Sequence, residues 1–370
     1  MNNRLVIIGA NDFQNQLILK AKSLGYETHV FAWEDGAVGK DTADYFYPIS
    51  ITEKEEIAEK CREIEPCGVC SIGSDLASIT VNYVAETLNL PCNQTKYTSI
   101  QTNKYKMREA LQNSGIPCPK FAIADDSFDI GMISDFSYPI IVKPTDRSGS
   151  RSITKLESAN GLEQAIKEAR GVSFEKKAII EEFLEGDEYS METISYKGNH
   201  HYLATTKKFT TGAPHFIETG HIEPSGLSDE VLETAVEVVL KALDALHIEN
   251  CASHSEFKVD KHGNIRIIEI GARMGGDCIG SDLVYLSTGN DFMKMVIDVA
   301  CGNEPKVLEN PKNTKAEIRF LFSEDDIKEL ERIKNTTPEK IYRVSGLELE
   351  NLGNTIDSST RVGYYIMIEK

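Results

Sequence analysis

No stretch of this chain is apolar for the roughly 20 residues that a membrane-spanning helix needs, so such a helix is not expected. Positive charge is scarce too. Lys and Arg number 40 against 58 Asp and Glu, a formal charge of −18, and no long basic block interrupts the excess. Nucleic acid and anionic membrane are therefore not expected as partners. The cysteines lack the arrangement of a zinc site: eight are scattered, and the one C-x-x-C, Cys67 to Cys70, has no second close pair. Most stand beside apolar residues, where small reduced thiols are buried. Repeats and low-complexity segments are absent, and Met1-Asn2-Asn3-Arg4 passes straight into a strand-like run. A soluble, cytoplasmic chain is expected, and 370 residues allow two or three domains.

What is present first is alternation. Leu5 to Gly9, Tyr26 to Ala32 and Cys67 to Ile72 read as strands, with helices from about Gln14 to Leu24 and from Lys54 to Ile64 between them. That order predicts parallel strands wrapped by helices, a Rossmann-like unit. Its first turn, Gly9-Ala10-Asn11-Asp12-Phe13-Gln14, lacks the second and third glycines of a dinucleotide site. A new domain is expected near the helix that Asn103 caps. Beyond it the spacing predicts a strand at Tyr138 to Lys143, a helix over Lys155 to Ala169, strands at Ala178 to Leu184 and Glu188 to Tyr196, and an amphipathic helix from Ser228 to Leu246. The fold class expected is thus α/β followed by α+β.

Two glutamates carry the sharpest signal. Ser255 to Val259 and Ile265 to Ile270 read as a hairpin, and a two-residue turn at His262-Gly263 sets Glu256 opposite Glu269. Like charges directly opposed are destabilising, so a cation is expected between them. Carboxylates without His or Cys suit a hard ion such as Mg2+, which takes one or two carboxylates plus phosphate oxygens. Phe257, Val259, Ile268 and Ile270 are expected on the apolar face, against the alternative of an exposed acidic hairpin. Gly271 to Gly276, with Arg273 inside it, follows at once.

Lys143 ends an apolar strand and opens onto Pro144-Thr145-Asp146-Arg147-Ser148-Gly149-Ser150-Arg151-Ser152. Small residues expose backbone N–H groups, hydroxyls add donors, and the basic side chains add charge, a composition suited to a triphosphate as well as to a solvated basic turn. At a strand end, Lys143 is expected to have little structural work. Further on, Glu181 to Ser190 reads either as a charged hairpin or as a linker whose backbone meets an adenine edge and whose acid meets ribose.

In this order the segments resemble the ATP-grasp superfamily, and within it the carboxylate–amine ligases such as bacterial L-amino-acid ligases; biotin-carboxylase-like and carbamoyl-phosphate-synthase-like members are related. The resemblance implies a Rossmann-like domain over 1–102, an ATP-grasp domain over 103–305 with a lid subdomain at about 120–185, and a C-terminal α+β segment over 306–370 packed on that core. It implies that Lys104 and Lys143 contact phosphate and that Ser148, Gly149 and Ser150 cover it. It makes Glu181 and Leu184 the adenine linker and Glu188 the ribose acid. Glu256 and Glu269 become ligands of Mg2+ or Mn2+, and Arg273 with Lys143 becomes catalytic, holding the transferred phosphate or the reacting acid. The family's usual Asn two positions after the second Glu is Gly271 here, and the lid loop has the single glycine Gly149.

Between these motifs, Lys207 to His221 is dense in polar groups, and loops of that kind select substrates. By the resemblance His215, Glu218 and His221 face an amine acceptor, with the local hydrogen bonding of the histidines as the bland alternative. His254 is expected beside Glu256 as a supporting or proton-accepting group. The expected function is an ATP- and Mg2+-dependent ligase joining a small carboxylate to an amine through an acyl phosphate. A bicarbonate-using relative and a nucleotide-binding subunit without turnover are the alternatives. Small molecules are the expected partners, and a homodimer stays open.

Overall fold

The computed structural model describes residues 3–147, 149, 151–213 and 216–369. The chain opens with β1 (Arg4–Ile8), a helix over Asp12–Ser23, β2 (Glu27–Phe31), β3 (Tyr45–Tyr47), a helix over Lys54–Ile64, β4 (Gly68–Cys70) and a helix over Asp75–Thr87. The four strands are parallel in the order β3-β2-β1-β4. Leu5 and Ile7 enter one apolar cluster and Val6 and Ile8 another, as a sheet covered on both faces requires. This is the Rossmann-like unit that the alternation predicts. Asn11 caps the first helix at Phe13 and Gln14, and Ser74 caps the third at Ala77, both beyond the carboxyl ends of parallel strands. Cys70 is buried, and the Cys67 thiol lies 3.2 Å from that of Cys301.

A second sheet combines β5 (Phe121–Ala124), β6 (Ile140–Pro144), β7 (Thr154–Leu156) and β8 (Ala178–Glu182), antiparallel in the order β5-β8-β6-β7. Lys155 is a strand residue and not the start of a helix. It pairs with Ile141, and Gly161, at φ +85°, separates that edge strand from the helix Leu162–Val172. Pairing across the sheet outweighs the helical propensity of the short Lys155 segment.

The third sheet has eight strands. They are β9 (Asp187–Tyr196), β10 (Asn199–Thr210), β11 (Glu218–Glu223), β12 (Ala252–Val259), β13 (Ile265–Gly271), β14 (Lys315–Leu321), β15 (Ile341–Val344) and β16 (Gly363–Glu369). Their order is β13-β12-β9-β10-β11-β14-β16-β15, so the tail continues the sheet. The helix Asp229–Ala245 lays Ala235, Val239, Ala242 and Leu243 against Phe257, Ile265, Ile267 and Ile270.

Glu256 does face Glu269, by a different route from the one predicted. Asp260 donates its N–H to Asn264 O at 3.1 Å and closes a three-residue loop, with Gly263 at φ +81°. Val259 then pairs with Ile265, a register that by itself misses the two acids. A bulge between Glu256 and Phe257 absorbs Ile268 as the extra residue and restores the opposition. The same bulge corrects the expected apolar face: Ile267 and Ile270 go to the core, and Ile268 lines the cavity.

Candidate active site

A cavity of about 590 Å³ lies where the loops of the parallel sheet, the end of β6, the β8–β9 linker and the face of β10–β13 converge. Lys104, Lys143, Gly149, Glu181, Leu184, Glu188, Glu218, His221, Glu256, Glu269 and Arg273 all line it. Ser148, Ser150 and His215 lie outside the described residues.

Lys143 and Glu181 sit diagonally across β6 and β8, and Nζ reaches Oε2 at 2.6 Å. Arg108, fully buried, takes Oε1 of the same carboxylate at 2.6 Å. Burial disfavours the Glu181 charge, but Arg108 and Lys143 outweigh it and hold the carboxyl below its usual range. Burial also lowers the Lys143 ammonium, and the cations of Arg108 and Lys104 add to that. Lys143 is 5% exposed, so the expectation that it has little structural work is wrong: it is one side of a buried ion pair. Lys104, at the start of the helix that Asn103 caps, donates to Glu269 Oε1 at 2.6 Å and to Arg147 O at 2.8 Å. Three cations thus meet the two carboxylates Glu181 and Glu269, an excess that suits an incoming polyanion.

The linker after β8 supplies the adjoining wall. The N–H of Glu182 goes to Lys120 O and that of Phe183 to Pro139 O, while that of Leu184 has no partner among the described residues. Lys155 and Lys258 approach the Phe183 ring at 4.5 and 4.8 Å.

The expected cation between Glu256 and Glu269 takes the form of two lysines. Lys104 serves Glu269, and Lys208 is ion-paired with Glu256 while standing 3.3 Å from Glu188 and 4.0 Å from Glu218. Each lysine occupies Oε1 of its acid. Oε2 of both has no partner among the described residues. That leaves two hard oxygen donors facing one cavity, a set that fits Mg2+ or Mn2+ with the remaining ligands drawn from substrate. No group of three or more His, Cys, Asp or Glu that could hold a metal occurs among the described residues. His254 lies between Glu192 and Glu256, at 3.3 Å from Glu256 Oε1. Burial opposes its charge, yet the two acids push it up to about 9.

Arg273 is not free. Asp75, the first residue of the helix after β4, accepts from Nε at 2.9 Å and from Nη2 at 3.4 Å. On the opposite wall Glu218 accepts from Arg361 Nη2 at 2.8 Å and from the Ser358 hydroxyl at 2.9 Å. Arg361 also donates to Asp277, which lies 3.7 Å from His221 Nε2. His221 is 1% exposed, burial lowers its pKa, and its Nδ1 has no partner among the described residues.

Asp75, Arg108, Lys208, Asp277 and Arg361 were not among the expected site residues. Asp75 stands just past the strand expected at Cys67 to Ile72 with no motif around it, and Arg361 lies far along the chain from the two acids it pairs with, Glu218 and Asp277. Lys208 had a signal, its place in the polar run before His221. A bulge in β10 hid its register.

Parts of the chain match known proteins. Residues 136–282 match the model of the ATP-grasp domain. The chain is 27% identical over 296 residues to alanine–anticapsin ligase of Bacillus subtilis (strain 168), a match covering 71% of this chain and 62% of that ligase. It is 30% identical over 185 residues to D-alanine–D-alanine ligase B of Chromobacterium violaceum, covering 48% of this chain and 59% of the relative. The crystal structure of an L-amino acid ligase from Bacillus licheniformis superposes with a TM-score of 0.83 at 25% identity, covering 100% of this chain and 93% of that one. The chain carries an ATP-grasp domain over residues 136–282.

Proposed function

We propose that this protein is an ATP-dependent ligase that joins a carboxylate, an amino acid or similar small acid, to an amine. The observation that carries the reading is one cavity holding two phosphate-suited lysines, Lys104 and Lys143, beside the opposed acids Glu256 and Glu269. The ligase names of the relatives support it. A free carboxylate does not form an amide in water, because the oxygen it would lose is a poor leaving group. Transfer of the terminal phosphoryl group of ATP to the acid gives an acyl phosphate and ADP; the amine then attacks the acyl carbon, an amine proton is lost, and phosphate departs.

Each residue has a part in this scheme. Lys104 and Lys143 hold the phosphates and Leu184 presents its N–H to adenine, with Glu181 fixing Lys143 from behind. Glu188 faces ribose. Arg273 orients the acid and steadies the phosphoryl group in flight. Glu256 and Glu269 would hold Mg2+ or Mn2+, which when bound neutralises charge on the transferring phosphate. Glu218 and His221 face the amine, as His215 is expected to. Gly149 shields the intermediate from water, as Ser148 and Ser150 are expected to. No helix among the described residues is long and apolar enough to cross a membrane, in keeping with a cytoplasmic site of action on small molecules. A homodimer is compatible with the scheme.

The test is ADP release against single carboxylates, with and without bicarbonate, followed by hydroxylamine in place of the amine. Carboxylate-dependent ADP release and a trapped hydroxamate are expected. Turnover that needs bicarbonate alone would move the protein to the carboxylase branch, and nucleotide binding without turnover to a regulatory role.

A further inference from the structure

Asp75 opens the helix after β4 and Arg273 follows the end of β13, and the two meet over a glycine. The Asp75 carboxylate takes the guanidinium side-on, through Nε at 2.9 Å and Nη2 at 3.4 Å, and Nη1 donates to Met274 O at 3.4 Å. A guanidinium has five N–H donors in one plane. Side-on pairing consumes the Nε hydrogen and one on Nη2, and the Met274 carbonyl takes one on Nη1. One hydrogen on each terminal nitrogen is left, two donors for a carboxylate or phosphate. No described residue accepts from that pair, and Arg273 lines the cavity.

Gly271 explains why the arrangement is possible in this chain. A Cβ at position 271 would stand 3.0 Å from Asp75 Oδ1, 3.1 Å from Arg273 Nε and 3.2 Å from its Cζ. Any larger side chain, the asparagine of similar sequences included, would press on both members of the ion pair. The glycine therefore gives the pair its room and is not only the loss of a polar group. Asp75 stays ionised beneath it: burial opposes the charge, and Arg273, with Lys104 beyond, outweighs burial.

We propose that Asp75 is a positioning residue for the ligase reaction: by holding the side of Arg273 over Gly271, it aims the free end of the guanidinium at the carboxylate of the acid substrate. The proposal rests on the ligase reading. It assigns the start of the helix after β4 a part in recognising the acid and none in recognising ATP.

The experiment is hydroxamate formation at fixed hydroxylamine, with each of the twenty proteinogenic L-amino acids in turn as the acid, for wild type, Asp75→Asn, Asp75→Ala and Gly271→Ala. With the best wild-type acid, Asp75→Asn should raise the KM for the acid at least tenfold while the KM for ATP stays within about twofold. Gly271→Ala should give the same split without touching either charge. The exchange Asp75→Arg with Arg273→Asp should recover the melting temperature lost in Asp75→Ala but not the use of acid, because the cation then points from the wrong element. An acid KM unchanged or lowered by Asp75→Asn, a parallel rise in both KM values, or an exchange that restores turnover would each overturn the proposal. A wild type inert with all twenty acids removes the amino-acid form of the ligase reading and this proposal with it; an active wild type with unaffected variants removes only this one.

Discussion

Arg361 donates to Glu218 Oε2 at 2.8 Å and to Asp277 Oδ1 at 3.0 Å while its guanidinium lies 3.7 Å above the Phe320 ring. One cation from the tail thus fixes two cavity carboxylates, and the expected ammonium-binding role of Glu218 has to operate beside it. Glu218→Gln should change the apparent affinity for the amine more than that for ATP, since Glu218 lies away from Lys104 and Lys143. Arg361→Met should leave Glu218 with the Ser358 hydroxyl and the more distant Lys208, and Asp277 with His221 at 3.7 Å, neither with its strong cationic partner. Breaking a buried pair costs about 3–5 kcal/mol, and chemical denaturation of Arg361→Met should show a loss near the lower end, because both acids retain some solvent contact.

Lys143→Ala should remove most turnover, on the order of 2–4 kcal/mol of transition-state stabilisation. It should also destabilise the fold by about 1–3 kcal/mol, the cost of a buried charged group losing a partner, because Glu181 is left with Arg108 alone. Urea unfolding separates the effects: a variant as stable as wild type would show that Arg108 suffices.

The paired acids give opposite results from those that bare repulsion would give. Lys104 and Lys208 already neutralise them, so removing a carboxylate strands a buried ammonium. Glu269→Gln should lower the melting temperature in EDTA, since Lys104 keeps only the Arg147 carbonyl. Glu256→Gln should lower it less, with Glu188 and Glu218 still near Lys208. Both should need more Mg2+ for turnover. A higher melting temperature for Glu269→Gln in EDTA would show that acid–acid repulsion dominates after all.

Glu223, fully buried on β11, takes the Thr206 hydroxyl at 2.7 Å, and burial pushes its carboxyl up to about 8, with Glu192 adding to the rise. An acid whose folded pKa exceeds its unfolded value binds more protons when folded, so between about 4.5 and 8 stability falls as pH rises. Glu223→Gln removes that penalty. Relative to wild type, its melting temperature should gain more at pH 8.5 than at pH 5.5; an equal shift at both would mean that Glu223 does not titrate in this window.

Local pattern was enough for much of this protein. The parallel unit followed from alternation and the Asn103 cap from a residue type that bonds an exposed N–H; the hairpin was legible too, but not the three-residue loop and the bulge that together set Glu256 opposite Glu269. The ATP-grasp domain followed from the order of these motifs. Such features depend on neighbours in sequence, where the backbone itself sets the geometry.

Tertiary structure decided what the acids and cations do to one another. Counting from the Tyr196/Asn199 pairing puts Lys207 opposite Glu188, and the shift between Tyr202 and Ala204 puts Lys208 there instead, turning its ammonium toward Glu256. Asp75 meets Arg273 only because the parallel unit and the eight-stranded sheet converge on one cavity, and Arg361 meets Glu218 because β14 joins β11 to β16 within that larger sheet. A bulge flips every side chain beyond it, and an ion pair between distant segments leaves no periodic trace in sequence. The motifs therefore marked where phosphate and metal chemistry would gather, while the packing of three sheets determined which charge each motif residue meets.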